Sequence, residues 1–434
     1  MAFILLGFFV LAHARVSRFS WLSDHTGHDN IFSVSDFGAI GDGKSKDTLA
    51  IRKAVEAVEE AGSGTIFFPG GGRYLTGPFN LTSHCTVFID ANATLLASTD
   101  VEDWPELPAM PSYGAAKKGG YVRRTSLVHG QNLTDVVVTG ANGTIDGQGP
   151  AWWSENGVVG GSTPPHLIEF MWSAGVEISN LTLINSAFWT VHPVYTNGFV
   201  AKHLTILNND GSDPNVPRAH NSDGIDPDSC SDVLIANCYI RTGDDGIAVK
   251  SGWDEYGYGF GMPSKNITIR DNTISTPCAA IAIGSEMSGG VSDIRVTNCH
   301  LWDSTAGVHI KSGPGRGGYV HNVSFEDIIM DSVATGIMFD TDSGGHPPDD
   351  ATHHLNMNAL PDIRHISVQR VVGKNSTFVA KLQGLAQSPL ADISFASVHF
   401  DGGAYLCSNV SGTYNDMEPR PCDAIAPQTK FLHG

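Results

Sequence analysis

Three aspartates have the residue type and spacing for proton chemistry. Asp223 closes an Asn221-Ser222-Asp223 triplet, and Asp244-Asp245 lies between Gly243 and Gly246. Carboxylates that converge on one patch repel each other, so some stay protonated near neutral pH. Glycoside hydrolysis needs such a set, because one carboxylic acid protonates the leaving oxygen while a carboxylate activates water or attacks directly. Calcium binding would also suit clustered carboxylates. Asp-rich bends that merely solvate turns are the bland alternative, and Asp271 and Asp327 fit it.

These acids can act together only if the chain stacks them, and a repeat in the sequence does so. One column reads Val176-Glu-Ile-Ser-Asn180, Val233-Leu-Ile-Ala-Asn237, Ile267-Thr-Ile-Arg-Asp271, Ile294-Arg-Val-Thr-Asn298 and Val323-Ser-Phe-Glu-Asp327. Each member alternates apolar and other residues, then places Asn or Asp where a bend is cheap. A second column begins at Gly224, Gly246, Ala280, Gly307 and Gly336, with spacings of 22, 34, 27 and 29 residues. Short strands recurring at such a period predict an all-β fold, a single-stranded right-handed parallel β-helix. A β-sandwich would not need two columns in register. Asp223 to Asp245 spans one short coil, which puts the two on neighbouring rungs about 5 Å apart. The same register turns His309 and Lys311 outward, along with Ala248 and Lys250. A basic spot beside carboxylates on an acidic protein suggests a substrate that carries carboxylates of its own.

One helix is expected near the N-terminus. Asp47 or Thr48 caps it, Ile51, Val55 and Val58 fall at helical spacing, and Gly62 ends it. It is placed to cover the first coil and its strand edges. Residues 1–14 read as a secretory signal peptide, with an apolar run followed by Ala12-His13-Ala14, although a basic start is missing. Residues 15–434 then form one β-helix domain with a capping N-terminal segment and a C-terminal tail. Nine Asn-x-Ser/Thr sequons accord with secretion, and only a few are expected to carry glycans. The seven cysteines contain no CxxC pair, so a zinc or dithiol site is disfavoured. Cys407–Cys422 is the preferred disulfide by proximity, and the odd count leaves at least one thiol free.

The 434 residues carry a formal charge of −19, with 45 acids against 26 bases. That balance excludes a general nucleic-acid binder. Beyond the N-terminus no apolar run is long enough to span a bilayer. Gly313-Pro-Gly-Arg-Gly-Gly318 matches a dinucleotide fingerprint, but strand-like residues follow it where a helix is required. Neither a G-x-S-x-G elbow nor HExxH spacing occurs.

These residues resemble the polygalacturonases of glycoside hydrolase family 28, particularly the plant polygalacturonase-like branch, from Asp36-Phe-Gly-Ala-Ile-Gly-Asp-Gly43 to about Phe400. Asn221-Ser-Asp223 is similar to the family's Asn-Thr-Asp motif, and Gly243-Asp-Asp-Gly246 to its paired-aspartate motif. The resemblance implies that Asp244 is the general acid, that Asp223 and Asp245 position and activate water, and that Asn221, His309 and Lys311 bind substrate. It further implies inverting hydrolysis of α-1,4-linked galacturonate in pectin, with no metal and no cofactor. The signal peptide places the chain in the extracellular space or cell wall, and a monomer is expected. Two positions depart from the pattern. The family's Gly-His-Gly falls on Cys278-Ala279-Ala280, and its Arg-Ile-Lys on His309-Ile310-Lys311; Arg316 is the nearby base that could compensate. A calcium-dependent pectate-type lyase and an inactive pectin-binding protein are the rival readings.

Overall fold

The structure is a computed structural model that describes residues 30–114, 122–153, 162–213, 215–347 and 355–428. The expected signal peptide lies outside the described residues. Parallel strands wind into a right-handed parallel β-helix, with all but one of the strand pairings among the described residues parallel. Both sequence columns stack as read. Val233, Ile267, Ile294 and Val323 are neighbours on successive coils. So are Ile225, Ile247, Ile281, Val308 and Ile337. Between Val176 and Val233 stands one further rung, carried by Phe199.

The bend column has a clear backbone cause. Asn180, Asn237, Asp271, Asn298 and Asp327 all take φ between 52° and 59°. Asn and Asp tolerate this left-handed region best after glycine, because their short side chains bond locally. The apolar residues between bends point into one continuous core, from Val34 at one end to Ile425 at the other.

The N-terminal helix, α1 (Thr48–Ala61), buries Ile51, Val55 and Val58 against the first coil and ends at Gly62 with φ 79°. Asp47 precedes it, but its carboxylate accepts from the Ile40 and Gly41 amides at 2.7 and 3.1 Å instead of from the helix. A second helix, α2 (Asp254–Phe260), was not expected. It lies in the stretch that lengthens one column spacing to 34 residues. Among the described residues no helix is long and apolar enough to cross a membrane. Strand Tyr319–Asp331 follows the Gly313–Gly318 loop, which disposes of the dinucleotide site. Cys407 and Cys422 form a disulfide, and the other five cysteines are free. All nine sequon asparagines are exposed.

Candidate active site

One face of the β-helix carries the acids. Its floor begins with a four-stranded sheet ending at Val191–Val194 and continues as a six-stranded sheet beginning at Ile247–Val249. The coil between them, Asp223 to Asp228, joins the two through single bridges at Ile225 and Asp228. Pro193 and Pro227 lie on adjoining rungs here and have no N–H to donate, which breaks the regular ladder. The acids occupy this junction.

Asp223 and Asp245 do lie on neighbouring coils, since the Gly224 amide donates to the Asp245 carbonyl at 3.0 Å. The flanking glycines permit this stacking. A Cβ on Gly224 would come within 2.4 Å of the Gly246 carbonyl, and one on Gly246 within 2.5 Å of that of Ala280. Asp245 is buried, and its carboxylate accepts from the Ala279 amide at 3.0 Å and from the Lys311 ammonium. Burial alone would raise its pKa, but Lys311 and Lys250 hold it below the usual aspartate value. Asp244 is only half-buried, and its carboxylate accepts from the Asn221 and Asp245 amides at 3.2 and 2.9 Å. Asn221 itself is exposed at the rim.

Asp223 behaves differently. It is 4% exposed, and burial pushes its carboxyl up to about 7, with Lys250 opposing the shift and Asp244 and Asp245 adding to it. Beside it sits Asp226, fully buried, both carboxylate oxygens without a hydrogen bond. Burial and the adjacent Asp223 raise its pKa well above the ordinary range. The Lys250 ammonium serves Asp223, Asp226 and Glu286 at 3.4, 3.8 and 3.3 Å and lies 4.5 Å over the Trp189 ring. Glu286 is half-buried, and Lys250 and Arg316 draw its carboxyl down to about 2 against the cost of burial. One patch therefore holds carboxyls kept ionised beside carboxyls kept protonated, which is the division that acid–base chemistry requires.

The two departures have structural consequences. Ala279 contributes only its backbone amide, while the adjacent Cys278 sulfur lies within 4.8 Å of the Asp244 and Asp245 carboxylates. Arg218 donates to that sulfur at 2.9 Å and to the Gly243 carbonyl at 2.7 Å. His309 faces the groove, but its Nε2 pairs with Asp340 at 2.7 Å. Arg316 does not stand in for the missing arginine. It is completely buried, paired with Asp254 at 2.5 Å and donating to the Ser285 and Gly345 carbonyls.

Sequence reasoning gave no role to Lys250, Asp226, Glu286 or Arg218. Lys250 and Asp226 had a usable signal. Lys250 occupies the same column position as Lys311, and Asp226 the same outward position as His309. Glu286 and Arg218 sit on loops outside the columns and had none.

Comparison with known proteins accords with this geometry. The profile of glycosyl hydrolases family 28 matches residues 65–417. A probable polygalacturonase of Vitis vinifera is 42% identical over 409 residues, covering 91% of this chain and 80% of the relative. An exopolygalacturonase of Zea mays is 29% identical, covering 78% and 77%. Among solved structures, the exopolygalacturonase of Thermotoga maritima superposes with TM-score 0.77 at 25% identity, covering 90% and 91%. The polygalacturonase of Erwinia carotovora gives 0.69 at 26% identity, covering 85% and 94%. The matched stretch takes in all three acids and both lysines, and the chain belongs to glycosyl hydrolases family 28.

Proposed function

We propose that this glycosidase hydrolyses α-1,4-galacturonosyl linkages of polygalacturonate with inversion, outside the cell, as a monomeric domain freed of residues 1–14. The observation that carries the reading is the set Asp223, Asp244 and Asp245 on adjoining rungs, with Lys311 and Lys250 reaching into it. Lysines beside the acids suit a substrate whose every sugar bears a carboxylate.

In this reading Asp244, the half-exposed member, delivers a proton to the leaving oxygen as the glycosidic C–O bond breaks. A water held by Asp223 and Asp245 adds its oxygen to the anomeric carbon from the opposite face and gives up its proton to them. Asp245, held ionised by Lys311, is equipped to accept. The free site keeps a proton on Asp223 up to about 7. Asp223 and Asp226 are adjacent buried carboxyls that titrate together, and sugar that displaces water shifts where that proton rests. His309 and Lys311 would bind a galacturonate carboxylate, and Asn221 would orient the chain at the rim.

The lysines also speak against a calcium-dependent lyase. Asp245 and Asp223 each already face an ammonium, which leaves a divalent cation poorly served. The deciding experiment is incubation with polygalacturonate, scoring reducing ends, ultraviolet absorbance and product anomer. Reducing ends with inverted configuration and no absorbance are expected, and Asp244→Asn should lower the rate by about 10²–10⁴-fold. An absorbing unsaturated product, or an Asp244→Asn enzyme with over half the activity, would refute the assignment. Binding without any product would make the chain a pectin-binding protein.

A further inference from the structure

Burial along this face is not the same on the two sides of the acids. The outward-facing floor positions Glu169, His192 and Asp226, toward the N-terminal coils, are all fully buried. The column stays buried at Ala248 and Ala282, beside the acids and one coil past them, and opens from there: His309, Met338 and Lys381 are half-buried, and Leu406 is 44% exposed.

A strap of chain around Pro108 to Tyr113 lies over the closed side. It is fastened at several points. The Tyr113 hydroxyl donates to Asp228 at 2.6 Å. Ser112 and Tyr195 hydroxyls share a bond of 2.6 Å, and the Trp253 amide donates to the Ser112 carbonyl at 2.8 Å. Arg123 donates to the Pro108 carbonyl at 3.1 Å while pairing with buried Glu169 at 2.7 Å. The Tyr113 ring stands between Trp189 and Trp253, 6.5 Å from each. Trp189 is the ring beneath Lys250, so this aromatic wall adjoins the acid cluster.

We propose that Tyr113 and its strap end the groove beside the acids, so that a polysaccharide enters only from the C-terminal coils and is cut near a chain end. Lys381 lies two coils beyond His309 in the same column, about 10 Å along the floor, and offers a further cation to a polyanionic chain. Tyr113 is thus a specificity-determining residue for mode of attack. The inference rests on the proposed polygalacturonate substrate.

Two measurements test it. With wild-type enzyme, reducing ends should accumulate while solution viscosity barely falls, and mono- or disaccharide should be the first product. Rapid viscosity loss with a ladder of long oligomers would overturn the proposal while leaving the proposed function intact. The second measurement needs no turnover: binding of the Asp244→Asn protein to oligogalacturonates of about 10 and about 100 units. One accessible end per chain predicts equal affinity per chain, roughly tenfold weaker per sugar for the longer one. Equal affinity per sugar would overturn the proposal even if no substrate were ever cleaved. Tyr113→Gly should shift products toward longer oligomers, and an unchanged product distribution in the folded variant counts against the wall.

Discussion

Replacing Asp223 with asparagine should abolish hydrolysis and also change how stability depends on pH. Asp223 is buried, and its carboxyl is pushed up to about 7. In an unfolded chain an aspartate titrates near 3.9. Between those values the native state keeps a proton that the unfolded chain has lost, so stability from this group falls as pH rises through the window. Three units at about 1.4 kcal/mol each set a ceiling of about 4 kcal/mol, of which roughly 2.6 is spread between about pH 5 and pH 8. Asp223 titrates together with the adjacent Asp226, so about half of that belongs to the side chain itself, or about 1.3 kcal/mol. Asparagine has no such proton to lose. Urea midpoints for wild type and Asp223→Asn at about pH 5 and about pH 8, with unchanged slopes, isolate the term. The variant should gain on wild type by that amount as pH rises. A difference that stays constant, or that moves in wild type's favour, would refute the burial argument.

Three further outcomes are expected. Hydrolysis should survive excess chelator, because the proposed steps use protons and water, and loss restored by calcium would return the lyase reading. His309→Arg should lower KM on polygalacturonate, since arginine offers a galacturonate carboxylate a bidentate fork that histidine cannot; an unchanged KM would remove His309 from the binding site. Cys407→Ser should lower stability by about 3 kcal/mol, the chain-entropy value for about a 15-residue loop, read as a lower urea midpoint, and an unmoved midpoint would show that the C-terminal coil does not need its cross-link.

The repeat was readable where the bend residue announced itself. Phe199 and Ile366 occupy the same column as Val233, but their bends fall on His203 and Arg370, with φ 54° and 51°. Neither is the Asn or Asp that marks the other bends, so those coils left no mark. Helix α2 was hidden for a similar reason, because Gly257 and Gly259 are poor helix formers in so short a segment. The acids were legible because stacking follows from spacing. Lys250 was placed correctly as outward but given no role, since a lone lysine in a column reads as a solvated side chain until three carboxylates are seen around it. The wall at Tyr113 could not be foreseen at all. It depends on residues from separate coils meeting over the groove, and no periodicity encodes that.

The insertion that carries α2 adds residues between two strands without disturbing register: Ile247 still meets Ile281, and Val233 still meets Ile267. Each coil supplies its own bend and its own share of core, so a lengthened connection transmits no strain to its neighbours. Descendants of such a chain can lengthen, shorten or exchange the segments bordering the groove with little effect on folding. The ends of the groove are therefore free to diverge while the acids at its centre stay where the coils put them, and a lineage can change how it attacks a polymer without having to rebuild its protein.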